Sequence, residues 1–240
     1  MTETLLQRPA SLKVWDLPTR LFHWALVAVI LLAFLSSEED SALAQWHQAA
    51  GWIAGILIVF RLVWGFLGGE HARFADFLRP GRLVSHVGDL LRRKPAAELG
   101  HNPLGALAVV AMLALVAGSV VTGITLLTGG GEDLHEELAY GLLAVIGVHV
   151  AGVVFMSFAT RENLMRAMVT GRKPSDRHPG GADAKPAAIY ALPLAGLAVA
   201  AAMLGAMRID PQAFLPHANA EAGEGGEHAA LDYADHDDDD

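Results

Sequence analysis

Two histidines fourteen residues apart in one apolar segment, His135 and His149, are the residues of this sequence best placed to do chemistry. At ~1.5 Å rise and ~3.6 residues per turn, that spacing climbs roughly 21 Å and returns to within about 40° of the same helix face. Both imidazoles therefore look out of one side of a helix at two depths. Ionisable side chains are costly in a long apolar segment unless they bind something. Two further histidines, His23 and His47, stand near the starts of earlier apolar segments. Imidazole nitrogen is a metal ligand, and four such groups make two axial pairs, enough for two haems.

The elements that must position them are long apolar helices. Of 240 residues, 53% are hydrophobic and the mean hydropathy is +0.37, with the apolar residues in long runs, which predicts an all-α integral membrane protein. Runs long enough to span a bilayer are read at Leu21 to Leu35, Trp46 to Phe66, Leu104 to Leu127, Leu134 to Phe158 and Ala187 to Met207. The first is short and is extended back to Pro18, since proline is tolerated in a helix's first turn. Met1 to Thr19 carries Pro9, Asp16 and Pro18 ahead of any apolar run, so no cleavable signal is expected and the first helix is read as an anchor. The chain has no cysteine, which excludes disulfides, thiolate zinc, iron–sulfur clusters and covalent c-type haem.

Charge sets the orientation. The N-terminal arm and the second and fourth connections hold fifteen Lys and Arg residues, while the first and third connections hold none. The positive-inside rule then puts the N-terminus in the cytoplasm and the C-terminus, after five crossings, outside. With that orientation His23 and His149 share the inner half of the bilayer and can pair, as can His47 and His135 at the outer side. Helix bundles commonly build cofactor sites from facing helices in this way. His47, Gly51 and Gly55 recur at steps of four, leaving room for a flat macrocycle against the backbone. Arg61, fourteen residues after His47, falls at the inner depth, where a haem propionate is the natural counter-ion and snorkelling to the surface is the competing reading.

Several strings resemble the bacterial cytochrome b-561 family of the Ni/Fe-hydrogenase b-subunit type. They are Val14-Trp-Asp-Leu-Pro-Thr-Arg-Leu-Phe-His23-Trp24, Arg61-Leu-Val-Trp-Gly65, Ala72-Arg-Phe74, Gly100-His-Asn-Pro103, Thr122-Gly123, His149-Val-Ala-Gly152 and Asn163-Leu-Met-Arg-Ala-Met-Val-Thr-Gly-Arg-Lys173. The resemblance covers roughly Val14 to Lys173. It implies a four-helix core with two non-covalent b haems on His23, His47, His135 and His149, passing electrons between a periplasmic redox protein and membrane quinone. Related formate-dehydrogenase cytochrome subunits suggest a quinone site beside the inner haem, formed here by His149 and Asn102. Asn102 also suits a helix cap ahead of Pro103.

The expected organisation is a cytoplasmic arm over 1–17, a four-helix di-haem domain over 18–173, a cytoplasmic linker over 174–186, a fifth helix over 187–207 and an acidic tail over 208–240. The net charge of -9 belongs wholly to that tail, which sets ten acids against the single Arg208 and is expected to be disordered. A docking strip for a basic partner and a weak metal site through His217, His228 and His236 are its alternatives. His71, His86, His101 and His178 fall in polar connections and are expected at the surface. The predicted function is an electron-transfer subunit whose partners are the lipid bilayer, quinone and a hydrogenase-type, dehydrogenase-type or soluble cytochrome protein, with no role for nucleic acid. Two alternatives are a stand-alone quinone-reducing oxidoreductase of a small reductant and a histidine-dependent proton or metal-ion transporter.

Overall fold

The computed structural model describes residues 10–38, 40–77, 99–100, 103–127, 129 and 131–217. The expectations placed on His86, His101, Asn102, the first nine residues and the tail beyond residue 217 lie outside them.

Among the described residues, five helices are long and apolar enough to cross a membrane: α1 (Leu17–Leu35), α2 (His47–Leu67), α4 (Pro103–Leu126), α5 (Glu132–Thr160) and α7 (Ala191–Ile209). The described residues also form two short helices, α3 (Phe74–Phe77) and α6 (Leu164–Thr170), and two strands, β1 (Ser11–Lys13) ahead of α1 and β2 (Arg172–Pro174) after α6. The fold is an integral membrane helical bundle.

Local chemistry sets the helix limits. Asp16 caps α1 by accepting from the Thr19 backbone N–H at 2.9 Å, with proline in the first turn. At its other end the Ser36 hydroxyl donates to the Leu32 carbonyl at 2.7 Å. α5 stops at Arg161, whose left-handed φ of 55° closes the helix without a glycine. Asn163 then caps α6, accepting from the Arg166 backbone N–H at 2.7 Å. α7 starts four residues later than the apolar run suggests. Extended chain continues through Ala188, and Pro193 falls within the first turn of the helix, where it costs no hydrogen bond.

α2 is the hub, with α1, α4 and α7 packed on it. The main core joins Phe22 of α1, Ala54 and Ile58 of α2, Leu113 and Val116 of α4 and Leu142 of α5. α7 meets α2 through Ala191, Ala195 and Ala206, all nearly inaccessible. Small residues let two helices approach closely where no hydrophobic effect drives them together. Beyond α7, Asp210 accepts from the Trp52 indole N–H at 2.9 Å and the Gln48 amide at 3.2 Å, which ties the fifth helix to the start of α2. α5 packs along α4 and makes no extensive contact with α1 or α2.

The chain closes over the N-terminal end of the bundle. β1 and β2 pair antiparallel, Leu12 opposite Lys173. Gly171, with φ of +76°, turns α6 into β2 and accepts from the Val14 and Trp15 backbone N–H groups; a Cβ there would lie 2.7 Å from the Trp15 carbonyl oxygen. The stretch expected to be a linker is bound down: Asp183 accepts from Lys13 N–H at 2.7 Å, and Glu70 from Lys185 N–H at 2.9 Å.

Candidate functional site

At the end of the bundle away from the N-terminus, the His47 and His135 rings face one another with centroids 6.1 Å apart and planes at 79°. Each ring is held by a carbonyl of a third element. His47 Nδ1 lies 2.9 Å from the Ala33 carbonyl oxygen at the end of α1, and His135 Nδ1 lies 2.9 Å from that of Ser119 in α4. A carbonyl only accepts, so both Nδ1 atoms carry the proton and Nε2 is the nitrogen left to bind. Such a hydrogen bond on the far nitrogen is the usual support for a metal-binding histidine. Metal–nitrogen bonds are about 2.0–2.1 Å and the ring centroid lies ~1 Å behind the nitrogen, so two imidazoles sharing one metal have centroids about 6 Å apart. The pair has that separation.

The residues also fit a macrocycle better than a free ion. Among the described residues no group of three or more His, Asp or Glu side chains converges. Two axial nitrogens suffice only where the ring supplies the remaining ligands. Gly51, one turn after His47, is half-buried, yet an added Cβ would meet nothing within 4 Å, so a flat group can lie against the backbone there. Gly55 is used differently. Val120 of α4 reaches to 3.1 Å from where its Cβ would be, making it a helix-packing glycine.

Nearer the N-terminus, His23 of α1 and His149 of α5 are brought close enough to interact electrostatically. His23 Nδ1 is buried with no hydrogen-bond partner among the described residues, a polar atom that needs one. At this level Arg61 is 2% exposed. Its guanidinium donates to the Ala72 carbonyl at 3.0 Å and lies 4.9 Å from the Phe74 ring centroid and 6.0 Å from that of Phe22, the neighbour of His23. Gly65 admits that arrangement, because any side chain there would overlap the Phe74 ring. Arg61 therefore turns inward rather than reaching for the surface, and among the described residues one carbonyl accepts from its five N–H donors.

Four features escape a reading of the sequence. Asp16, besides capping α1, accepts from the Trp64 indole at 3.1 Å and the Gly69 backbone N–H at 3.1 Å, fixing α1 to the end of α2 two turns ahead of His23. Its cap was legible from the Asp-x-Pro order; its partners fifty residues away were not. Glu162 is almost wholly buried between Lys173 Nζ at 3.5 Å and His178 Nε2 at 2.7 Å, joining the end of α5 to the segment after β2. His178 is thus an interior residue, not the surface one expected, because its carboxylate partner is buried with it. His71 is half-buried edge-on to Trp15, ring centroids 6.2 Å apart, and burial lowers its pKa against the opposing pull of Glu70 and Asp76. Thr122 is the fourth, with its hydroxyl 3.1 Å from His135 Nδ1.

The chain is similar to three proteins named as probable Ni/Fe-hydrogenase B-type cytochrome subunits. The one from Azotobacter vinelandii is 28% identical over 218 residues, covering 69% of this chain and 90% of the relative. That of Rhizobium leguminosarum bv. viciae is 24% identical, covering 68% and 89%. The hydrogenase 1 subunit of Escherichia coli (strain K12) is 24% identical, covering 63% and 83%. No solved structure matches. The profile of one family, prokaryotic cytochrome b561, matches residues 14–171, from the residue after β1 to the glycine that ends α6, and so contains all four histidines. A multi-pass helical membrane protein whose paired histidines fit b-type haem, and whose sequence matches that profile over most of its length, belongs to the prokaryotic cytochrome b561 family of membrane electron-transfer proteins.

Proposed function

We propose that this chain is the membrane subunit of a respiratory oxidoreductase, carrying two b haems between a redox protein on one side of the bilayer and quinone near the other. His47 with His135 holds one haem and His23 with His149 holds the second. Haem bound at the two pairs supplies a one-electron couple at each depth. The chain supplies the axial nitrogens, fixes their tautomers through backbone carbonyls, and keeps the interior dry with the Phe22, Ile58 and Val116 core. Arg61 compensates a propionate beside the His23 pair. Asn102 and His149 take quinone there. The di-haem unit spans 18–173, with the fifth helix and the acidic tail appended to it.

The orientation follows from the fifteen basic residues of the arm and the even connections, which set the N-terminus in the cytoplasm and the tail in the periplasm. The partner is a periplasmic hydrogenase-type protein, by analogy with the relatives' names. An electron-transfer subunit, rather than a stand-alone enzyme, accords with a chain whose polar groups gather in pairs about prospective axial sites.

The observation that carries the reading is the His47–His135 geometry: two rings 6.1 Å apart, both held through Nδ1. The test is haem quantification and a reduced-minus-oxidised spectrum of the purified chain. Two low-spin b haems per chain are expected. One haem, or none, would sink the di-haem assignment.

A further inference from the structure

Thr122 and Gly123 stand out in the sequence as a motif, and neither is a candidate ligand. In the fold they meet His135 from across the α4–α5 interface. His135 Nδ1 is 2.9 Å from the Ser119 carbonyl oxygen and 3.1 Å from Thr122 Oγ1. Because the carbonyl contact requires the proton on Nδ1, the hydroxyl accepts a share of that same N–H. Its own proton goes to the Gly118 carbonyl at 3.0 Å or that of Ser119 at 3.1 Å. A hydroxyl that donates in this way is a better acceptor. Gly123 completes the contact, since a Cβ there would press to 3.3 Å of His135 Cε1. Among the described residues, His47 Nδ1 meets the Ala33 carbonyl alone.

Resting on the bis-histidine reading above, we propose that Ser119, Thr122 and Gly123 form a seat on α4 that fixes the rotation of the His135 imidazole and strengthens it as a donor. Thr122 is thereby a positioning residue for one haem only. Added hydrogen bonding at Nδ1–H pushes electron density toward Nε2, raises ligand basicity and favours the oxidised metal. A threonine that served only its own helix would donate to the carbonyl four residues back and have no bearing on the histidine.

The experiment uses the haem-loaded full chain in two variants, read by potentiometric titration and by the low-spin electron paramagnetic resonance g values. Thr122→Val keeps the shape and drops the hydroxyl. It is expected to retain both haems, to move one midpoint potential positive and to shift the g values of that haem, leaving the other unmoved. Thr122→Ser keeps the hydroxyl and is expected to match the parent. Unchanged potentials and g values in Thr122→Val overturn the proposal, as does the same change in both variants. If Thr122→Val does not assemble, Gly123→Ala takes its place: pressure on Cε1 should shift the g values of the same haem, and an unshifted spectrum counts against the seat. His135→Ala separates the two levels of inference. Retention of both haems in that variant defeats the bis-histidine reading itself, whereas haem loss in it beside an unmoved Thr122→Val defeats only the seat.

Discussion

The two proposed histidine pairs each draw one member from α5, at two depths, yet the fold holds these histidines by different means. His47 and His135 are locked by main chain, each Nδ1 on a carbonyl of another helix and the rings set 6.1 Å apart. At the other level, His23 keeps a buried Nδ1 with no partner among the described residues, and its surroundings are organised by side chains: Asp16 below it, Arg61 with Phe22 and Phe74 beside it. Main-chain carbonyls cannot be exchanged by substitution, so the first pair is preorganised by the bundle itself. The second depends on residues that can be changed one at a time. That contrast predicts which of the two haems a given substitution reaches.

The largest effect tests the pairing. Replacing any one of the four histidines by Ala is expected to remove one haem per chain or convert it to high spin, with His47→Ala and His135→Ala losing the same haem and His23→Ala and His149→Ala the other. Haem quantification with redox titration distinguishes them. A shared phenotype for His23→Ala and His47→Ala would mean that the pairs are drawn wrongly.

Next comes the side-chain lock of the second pair. Asp16→Ala removes a helix cap worth about 1 kcal/mol and two further hydrogen bonds to a carboxylate, for a combined loss of roughly 2–4 kcal/mol. Thermal loss of the Soret band should show the His23/His149 haem leaving at lower temperature than the other. Simultaneous loss of both would make Asp16 a brace for the whole bundle.

Arg61→Gln has a smaller effect of opposite character. Removing a cation that favours the reduced, more negative state should lower the midpoint of the His23/His149 haem by on the order of 1 kcal/mol, with the other haem unmoved. Gln can still donate to the Ala72 carbonyl, so helix packing is preserved. Identical potentials in parent and variant would assign Arg61 a purely structural role.

The smallest effect is a pH dependence at the N-terminal end. Burial lowers the pKa of His71 below its ordinary 6.5. Below pH 6.5 the unfolded chain therefore binds the proton more readily than the folded one, and stability falls as pH drops through that range until the folded form also protonates. Thermal midpoints measured from pH 7 to 5 should decline less steeply in His71→Gln than in the parent. Equal slopes would place the acid sensitivity elsewhere.

Much of this was legible before folding because the bilayer writes strong rules. Five spans, their approximate limits and the matched depths of four histidines all follow from hydropathy and a 3.6-residue period. Counting fourteen residues along α2 from His47 reached Arg61, which is buried beside Phe22. The errors have a common cause. Gly55 appeared to belong to the macrocycle's stripe but accommodates Val120, and His178 appeared exposed but is buried against Glu162. Each depends on a partner distant in sequence, where local pattern carries no information.

The sequence by itself determined what had to lie in the membrane and at what depth, since apolar length and helical periodicity are properties of single segments. Tertiary structure alone decided which atoms meet: the Ala33 and Ser119 carbonyls that set the tautomers of His47 and His135, the hydroxyl of Thr122 beside one ring, the carboxylate of Asp16 joining α1 to α2, and the alanine face that seats α7 on the hub. Those contacts depend on how helices rotate and cross. Rotation and crossing are settled by side-chain packing between segments, which no single segment encodes.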